Sequence, residues 1–335
     1  MREALLYEKL EGGAVACKLC SHRCVIPKSK TGFCCCRLND GGTLYSLNYG
    51  KCTGLALDPI EKKPFYHFKP GSTALSFGAP GCNFRCKGCL NWEISQSPRE
   101  SREAFDFPLV SPGEIARASE RADGIAYTYT EPTVFFEYCR DTILETKKIH
   151  PEKYHVFVSN GYFSEEAWHL IQREKLLDAI RIDLKSFSDA FYGAYCGARL
   201  EPVLESIKRV HASKTHLELI TLLVPGGNDS REELRALCGW VAALDPDIPL
   251  HFSRFYPMHE ARGAATPLEK LEEAREIARE AGLRFVYFGN APGGSDTMCP
   301  RCGALLVARS GFSVKENRLE DGACPDCGAR VPGVW

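Results

Sequence analysis

The sequence predicts an α/β fold built on a parallel sheet, with a small cysteine-bearing module on either side of it. Three observations carry this expectation. Short β-rich apolar runs alternate with helical patterns across residues 71–291. The chain holds 17 cysteines in 335 residues, and all but Cys52, Cys139, Cys196 and Cys238 fall into three clusters before, within and after that stretch. Lys and Arg number 42 against 43 Asp and Glu, a net charge of −1, so bulk attraction to nucleic acid or anionic membrane is excluded as the working principle.

The strand candidates run 75–78, 125–130, 155–160, 179–185, 216–224, 248–255 and 284–289. Helical patterns fill the intervals at 112–122, 134–149, 164–177, 200–213, 229–244 and 267–281. Ser111 before Pro112, Ser164 before Glu165 and Glu166, and Asp229-Ser230 before Glu232 and Glu233 are helix starts, and Ala281-Gly282 is a helix stop. Strand–helix alternation at this spacing gives parallel strands joined by right-handed crossovers, in either an incomplete (β/α) barrel or a doubly wound sheet. In both, chemistry sits at the C-terminal strand ends. Lys69-Pro70-Gly71 and Pro292-Gly293-Gly294 mark boundaries, giving an N-terminal cysteine-rich module at 1–70, a central domain at 71–291 and a C-terminal module at 292–335.

The outer modules read as metal sites, since cysteine-rich chains without a secretory signal rarely rest on disulfides. No run reaches the roughly 18 apolar residues of a membrane span, and the opening MREALLYEKLEGG lacks a signal layout, so a cytoplasmic protein is expected. Cys299-Pro300-Arg301-Cys302-Gly303 and Cys324-Pro325-Asp326-Cys327-Gly328 are two thiolate knuckles, and four thiolates complete a closed zinc site of the ribbon or rubredoxin kind. Residues 311–314 would form the middle of the hairpin between them. Five basic and five acidic residues across 295–335 argue against a nucleic-acid grip. Cys17, Cys20, Cys24 and Cys34 form another four-ligand set, with His22 as a possible nitrogen ligand and Cys35 and Cys36 as further choices for the fourth thiolate. Zinc and an auxiliary iron–sulfur cluster both suit it. Cys139 and Cys238 fall at helical positions and are expected to be buried packing residues, while Cys196 was weighed as a catalytic thiol.

The central cluster, Cys82-x3-Cys86-x2-Cys89, follows the first strand and supplies three thiolates, which leaves one iron of a [4Fe–4S] cluster open. An incomplete zinc site is the alternative. C-x3-C-x2-C at this place resembles the radical S-adenosylmethionine (SAM) signature. Tyr129-Thr130-Glu131-Pro132, Ser159-Asn160-Gly161, Asp183-Leu184-Lys185 and Val224-Pro225-Gly226 follow at successive strand ends, the last three resembling the pyruvate formate-lyase activating enzyme branch. DPIEKKPFYHF (58–68), AYTYTEPTVFFEY (126–138), HFSRFYP (251–257) and the ending CPDCGARVPGVW (324–335) are similar to the AmmeMemoRadiSam system radical SAM enzymes. Gly88 replaces the aromatic residue often found before the third cysteine, Leu90 stands where glutamine is expected, and Cys35-Cys36 depart from the pattern.

The resemblance implies an incomplete (β/α)6-type barrel as the radical SAM core. It implies that Cys82, Cys86 and Cys89 hold the cluster, which reductively cleaves SAM to a 5′-deoxyadenosyl radical that takes hydrogen from a substrate the sequence does not name. It assigns SAM-binding roles to Phe84, Thr130, Glu131, Asn160, Asp183, Lys185 and His251, with Asp183 and Lys185 also counted as catalytic. An ion pair is the plain alternative for Asp183 with Lys185, and a buried structural role for His251. It further implies zinc at one or both outer sites, a low-potential electron donor, and partnership with Memo-family and AMMECR-family proteins; no nucleic-acid or membrane partner is expected. Competing functions are a glycyl-radical activase, a radical methyl or group transferase, and a non-catalytic zinc-binding scaffold.

Overall fold

The alternation becomes seven strands: β1 (Thr73–Gly78), β2 (Gly124–Tyr127), β3 (Tyr154–Ser159), β4 (Ala179–Asp183), β5 (His216–Leu223), β6 (Leu250–Arg254) and β7 (Val286–Gly289). Six helices accompany them: α1 (Pro112–Ala118), α2 (Phe136–Ile149), α3 (Glu165–Arg173), α4 (Glu201–His211), α5 (Arg231–Leu244) and α6 (Leu268–Glu280). The structure is a computed structural model and describes residues 1–335, apart from the side chain of Arg102. It forms two units, Met1–Asp58 with Ala74–Asp178 and Cys196–Ala198, and Pro59–Thr73 with Ala179–Tyr195 and Arg199–Trp335.

The helix starts follow capping chemistry. Ser111 and Glu114 form a reciprocal capping box, with Pro112 in the first turn. Ser164 accepts from the amide of Ala167, and Ser230 from that of Glu233. Each cap satisfies an amide that the helix leaves open, for about 1 kcal/mol. The run expected at 125–130 ends early, at Tyr127, because Tyr129 takes φ +65° and leaves extended geometry.

In the first unit, β2 pairs in parallel with β1 on one side and β3 on the other. The register sets Phe77, Tyr127 and Phe157 side by side. Their rings meet at 5.2 and 5.4 Å, and Tyr138 of α2 closes on Phe77 at 5.4 Å. This aromatic row is the core beneath the strand ends, where large rings exclude water and meet edge to face. The N-terminal segment adds two three-stranded antiparallel sheets to this unit. Arg37 of that segment is buried and grips Glu137 of α2 with two hydrogen bonds, at 2.8 and 2.6 Å.

In the second unit, β4 to β7 lie side by side and parallel in chain order. The C-terminal hairpin pairs Leu305–Ser310 with Ser313–Asn317. Its Leu306, Val307, Cys299 and Cys324 join Tyr66, Phe285 and Tyr287 in one apolar cluster. A small ribbon thus borrows a core it cannot build alone. A polar chain crosses this cluster: Tyr287 Oη lies 3.0 Å from Thr297 Oγ1 and 2.6 Å from His67 Nε2, and His67 Nδ1 lies 2.6 Å from the Pro332 carbonyl. Neutral His67 satisfies it by donating through Nδ1 and accepting at Nε2.

Burial pushes His67, and likewise His155 of the first unit, down to about 3. The unfolded chain therefore takes up protons first as pH falls below the ordinary histidine value of about 6.5. Stability from these groups is complete above that pH and falls, as pH drops toward 3, by about 1.4 kcal/mol per pH unit for each histidine. Urea midpoints are expected to be level from pH 8 to 7 and to decline steadily from 6 to 4. A level midpoint down to pH 4 would show that neither histidine is held neutral.

Candidate active site

The loop after β1 runs Ala79-Pro80-Gly81-Cys82-Asn83-Phe84-Arg85-Cys86-Lys87-Gly88-Cys89. It has no strand or helix of its own, so its peptide groups need outside partners. The amide of Gly81 donates to Ile94 O at 2.9 Å, and that of Arg85 to Cys196 O at 2.7 Å. Arg99 donates to the carbonyls of Cys82 and Phe84, at 2.9 and 3.2 Å. His22 Nε2 lies 2.7 Å from Asn83 O, and Asn48 Nδ2 donates to Pro80 O at 2.9 Å. The loop is thereby held through its backbone by several separate segments.

Two groups donate to the Cys82 sulfur: the amide of Phe84 at 3.3 Å and Asn160 Nδ2 at 3.8 Å. Cys89 Sγ lies 3.2 Å from Ser95 Oγ. Asn160 opens the turn after β3, and it links the strand ends. Its amide donates to Glu131 Oε2 at 2.8 Å, its Nδ2 to Asn83 Oδ1 at 2.8 Å, and its Oδ1 accepts from the amide of Tyr162 at 3.0 Å. Glu131, just beyond β2, also takes three bonds on Oε1, from Thr133 N, Thr133 Oγ1 and Ser159 Oγ, at 2.5–3.0 Å. Thr130 Oγ1 donates to Ala79 O at 2.6 Å, tying this segment to the cysteine loop. Tyr129 is fixed by Asn91 Nδ2 on its carbonyl at 2.6 Å and by its hydroxyl on Asp58 Oδ2 at 2.9 Å.

The electrostatics favour a cation. Burial, and then the charges of Glu131 and Cys86, push the Cys82 thiol well above its ordinary range. A thiolate is stable there only beside a metal. Burial likewise raises Glu131, against the pull of its four donors. Asn83 Nδ2 is buried beside Cys82 and has no hydrogen-bond partner. The three sulfurs are not drawn within 4.8 Å of one another, wider than the roughly 3.8 Å that a tetrahedral zinc with 2.3 Å bonds would impose. Three thiolates, amide donors to sulfur and an unsatisfied buried donor fit an iron–sulfur cluster with one open iron.

The ring of Phe84 is buried edge-on to Tyr162 at 5.2 Å, and its amide faces the Cys82 sulfur. His251 is second in β6, at the N-terminal end of the strand, and its Nε2 meets Glu218 Oε2 at 2.7 Å. Glu218 is buried and also accepts from the amides of Tyr66 and His67. The contact with Glu218 fits the buried structural alternative for His251, since a charged buried carboxylate needs a donor. Asp183 closes β4 in ion pairs with Lys185 at 3.1 Å and Arg181 at 3.2 Å. Burial alone would raise its pKa, but the two cations hold it below the ordinary value. Cys139, Cys196 and Cys238 are buried, and the Cys196 carbonyl accepts from the amide of Arg85 in the cysteine loop.

The C-terminal cysteines converge. Cys299 Sγ is 3.6 Å from Cys327 Sγ, Cys302 Sγ is 3.7 Å from Cys324 Sγ, and all four lie within 4.8 Å, a set able to bind a metal such as zinc. Residues not singled out from sequence also build the active site: Asn83, Asn91, Ser95, Arg99 and the backbone of Tyr129. Asn83, Asn91, Ser95 and Tyr129 lie inside recognised motifs, which was the available signal; Arg99 carried none.

A family model described as the radical SAM superfamily matches residues 77–238. Over 99% of its length the chain is 41% identical to "Uncharacterized protein MJ0808" of Methanocaldococcus jannaschii, covering 99% of that protein. Among solved structures, a radical SAM methyltransferase from Sphaerobacter thermophilus is similar with TM-score 0.52 and 16% identity, over 71% of both chains. Streptococcus suis SuiB is similar with TM-score 0.50 and 12% identity, over 69% of this chain and 52% of its own. Both likenesses concern the fold. No described helix is long and apolar enough to cross a membrane.

Proposed function

Because a model of the radical SAM superfamily matches residues 77–238, we propose that the chain abstracts hydrogen from its substrate at the loop of Cys82, Cys86 and Cys89. The observation that carries this is the convergence of Asn160 and Glu131, from two further strand ends, on that loop. When bound, the [4Fe–4S] cluster and SAM supply one-electron bond cleavage and a hydrogen-abstracting radical. The chain's own work is placement. Cys82, Cys86 and Cys89 hold three irons. The Phe84 amide and Asn160 Nδ2 donate to the Cys82 sulfur and favour its thiolate form. Glu131 has one oxygen fully used and a single hydrogen bond on Oε2, so it fixes Asn160 and keeps one lone pair toward the SAM amino group. Thr130 holds the strand end against Ala79. Asp183 and Lys185, at the end of β4, serve SAM or substrate. On the resemblance of the sequence, a low-potential electron donor and Memo-family and AMMECR-family proteins are its partners in the cytoplasm.

The test is anaerobic reconstitution with iron and sulfide, then dithionite and SAM, with chromatography for 5′-deoxyadenosine. Wild type is expected to form it, and the Cys82→Ala/Cys86→Ala/Cys89→Ala variant to form none. A fully loaded wild-type protein that leaves SAM intact would overturn the proposal.

A further inference from the structure

We propose that Cys17, Cys20, Cys24 and Cys34 hold a second [4Fe–4S] cluster, ligated by all four thiolates, and not a zinc ion. Three cysteine sets in one chain provide the comparison. The C-terminal four sulfurs all lie within 4.8 Å, close to what one small tetrahedral ion requires. Among the described residues no three of the N-terminal ligand atoms do so, His22 included, and neither do those of the central loop. The N-terminal set therefore shares the spread of the iron–sulfur loop and not that of the ribbon.

The wide set encloses a cavity. All four cysteines line it, with apolar Leu19, Ile26 and Val134 between them. Four thiolates that reach four separate irons need such a space, while a zinc ion would leave it empty. Two donors suit cluster sulfur. The Phe33 amide donates to Cys24 Sγ at 3.4 Å. Arg37 lines the cavity, is 1% exposed, and has its Nε buried without a hydrogen-bond partner, although its two terminal nitrogens are engaged by Glu137.

Three other possible ligands lie nearby, and His22 also lines the cavity. His22 stacks on Phe33 with ring centres 4.0 Å apart and directs Nε2 to Asn83 O. Cys36 Sγ meets the carbonyls of Cys34 and Pro80, at 3.2 and 3.4 Å, and Cys35 Sγ lies 3.9 Å from Phe33 O. Cys34 lines the cavity while Cys35 and Cys36 do not, which makes it the fourth thiolate. The site also abuts the central loop through the bond from His22 to Asn83, next to Cys82.

The experiment uses the full chain carrying Cys82→Ala/Cys86→Ala/Cys89→Ala, so the proposed activity plays no part in the readout. After anaerobic reconstitution with iron, sulfide and zinc, metal and sulfide are counted and the dithionite-reduced sample is examined by electron paramagnetic resonance. The expected result is about four iron and four sulfide with about one zinc per chain, and a reduced-cluster signal. Adding Cys20→Ser and Cys24→Ser should remove the iron and signal but leave the zinc. About two zinc and no iron would overturn the proposal. Wild type gives an independent count: about eight iron supports a second cluster, and about four iron with two zinc refutes it.

Discussion

Gly81→Ala is expected to cut 5′-deoxyadenosine formation about 100-fold, the scale of effect that an ångström of misplacement produces at a reactive centre. Gly81 precedes Cys82 and holds φ +105°, a conformation closed to residues with a Cβ. A Cβ at this position would also fall well inside van der Waals contact of Cys36 Sγ. The backbone strain costs about 1–3 kcal/mol, and the overpacking costs about 1–3 kcal/mol. The chain escapes both by moving the loop, which carries Cys82 away from Cys86 and Cys89. Pairing Gly81→Ala with Cys36→Ala separates the two causes, since the smaller side chain relieves the clash but leaves φ unchanged. Partial recovery is expected in the double variant. Full activity in Gly81→Ala alone would show that the loop geometry is not what sets the site.

Glu137→Ala is expected to destabilise the protein by about 3–5 kcal/mol, the cost of leaving a buried charge without its partner. Both terminal nitrogens of Arg37 are engaged by this carboxylate, which also accepts from the amide of Leu5 at 3.0 Å. The side chains of the pair are 2% and 1% exposed, so water does not replace the lost partner. Urea unfolding of the wild type and of the Glu137→Met, Arg37→Met and Arg37→Met/Glu137→Met variants forms a complete cycle, with Glu137→Ala measured beside it. The double variant is expected to be more stable than Glu137→Ala, because two apolar side chains leave no unpaired charge. A Glu137→Ala midpoint within error of wild type would remove this pair from the account of how the N-terminal segment is held on α2.

Much of the fold was legible because it rests on local signals. The alternation of β-rich runs and capped helices places all seven strands and six helices, since burial period and capping are written in neighbouring residues. The strand-end motifs were legible for the same reason, as each sits within a few residues of its strand. What escaped was set by contacts distant in sequence. The bond of His251 to Glu218 was not legible, because a histidine in a strand looks alike at either end and its partner is 33 residues away. Phe84 lies inside the cysteine motif, but the burial that turns its ring to Tyr162 depends on a residue after β3. Arg99 holds two loop carbonyls from a segment with no pattern of its own. The difference between the two outer cysteine sets was equally hidden, because spacing along the chain does not report distance between sulfurs.

Asn160-Gly161 also bears on how this protein ages. Asn-Gly pairs in mobile chain lose the side-chain amide when the following backbone nitrogen attacks the side-chain carbonyl and closes a ring. Here the attacking nitrogen, that of Gly161, donates to Ser159 Oγ at 3.1 Å. The Asn160 carbonyl oxygen is held by Tyr162 and its amide nitrogen by Asn83. Conversion to aspartate would put a negative charge opposite Asn83 Oδ1 and the Cys82 sulfur, in a buried site already occupied by Glu131. The order that seats three strand ends on the cysteine loop thus also shields the chemically most fragile dipeptide in the site, and a cluster-free, loosened loop would lose that shield.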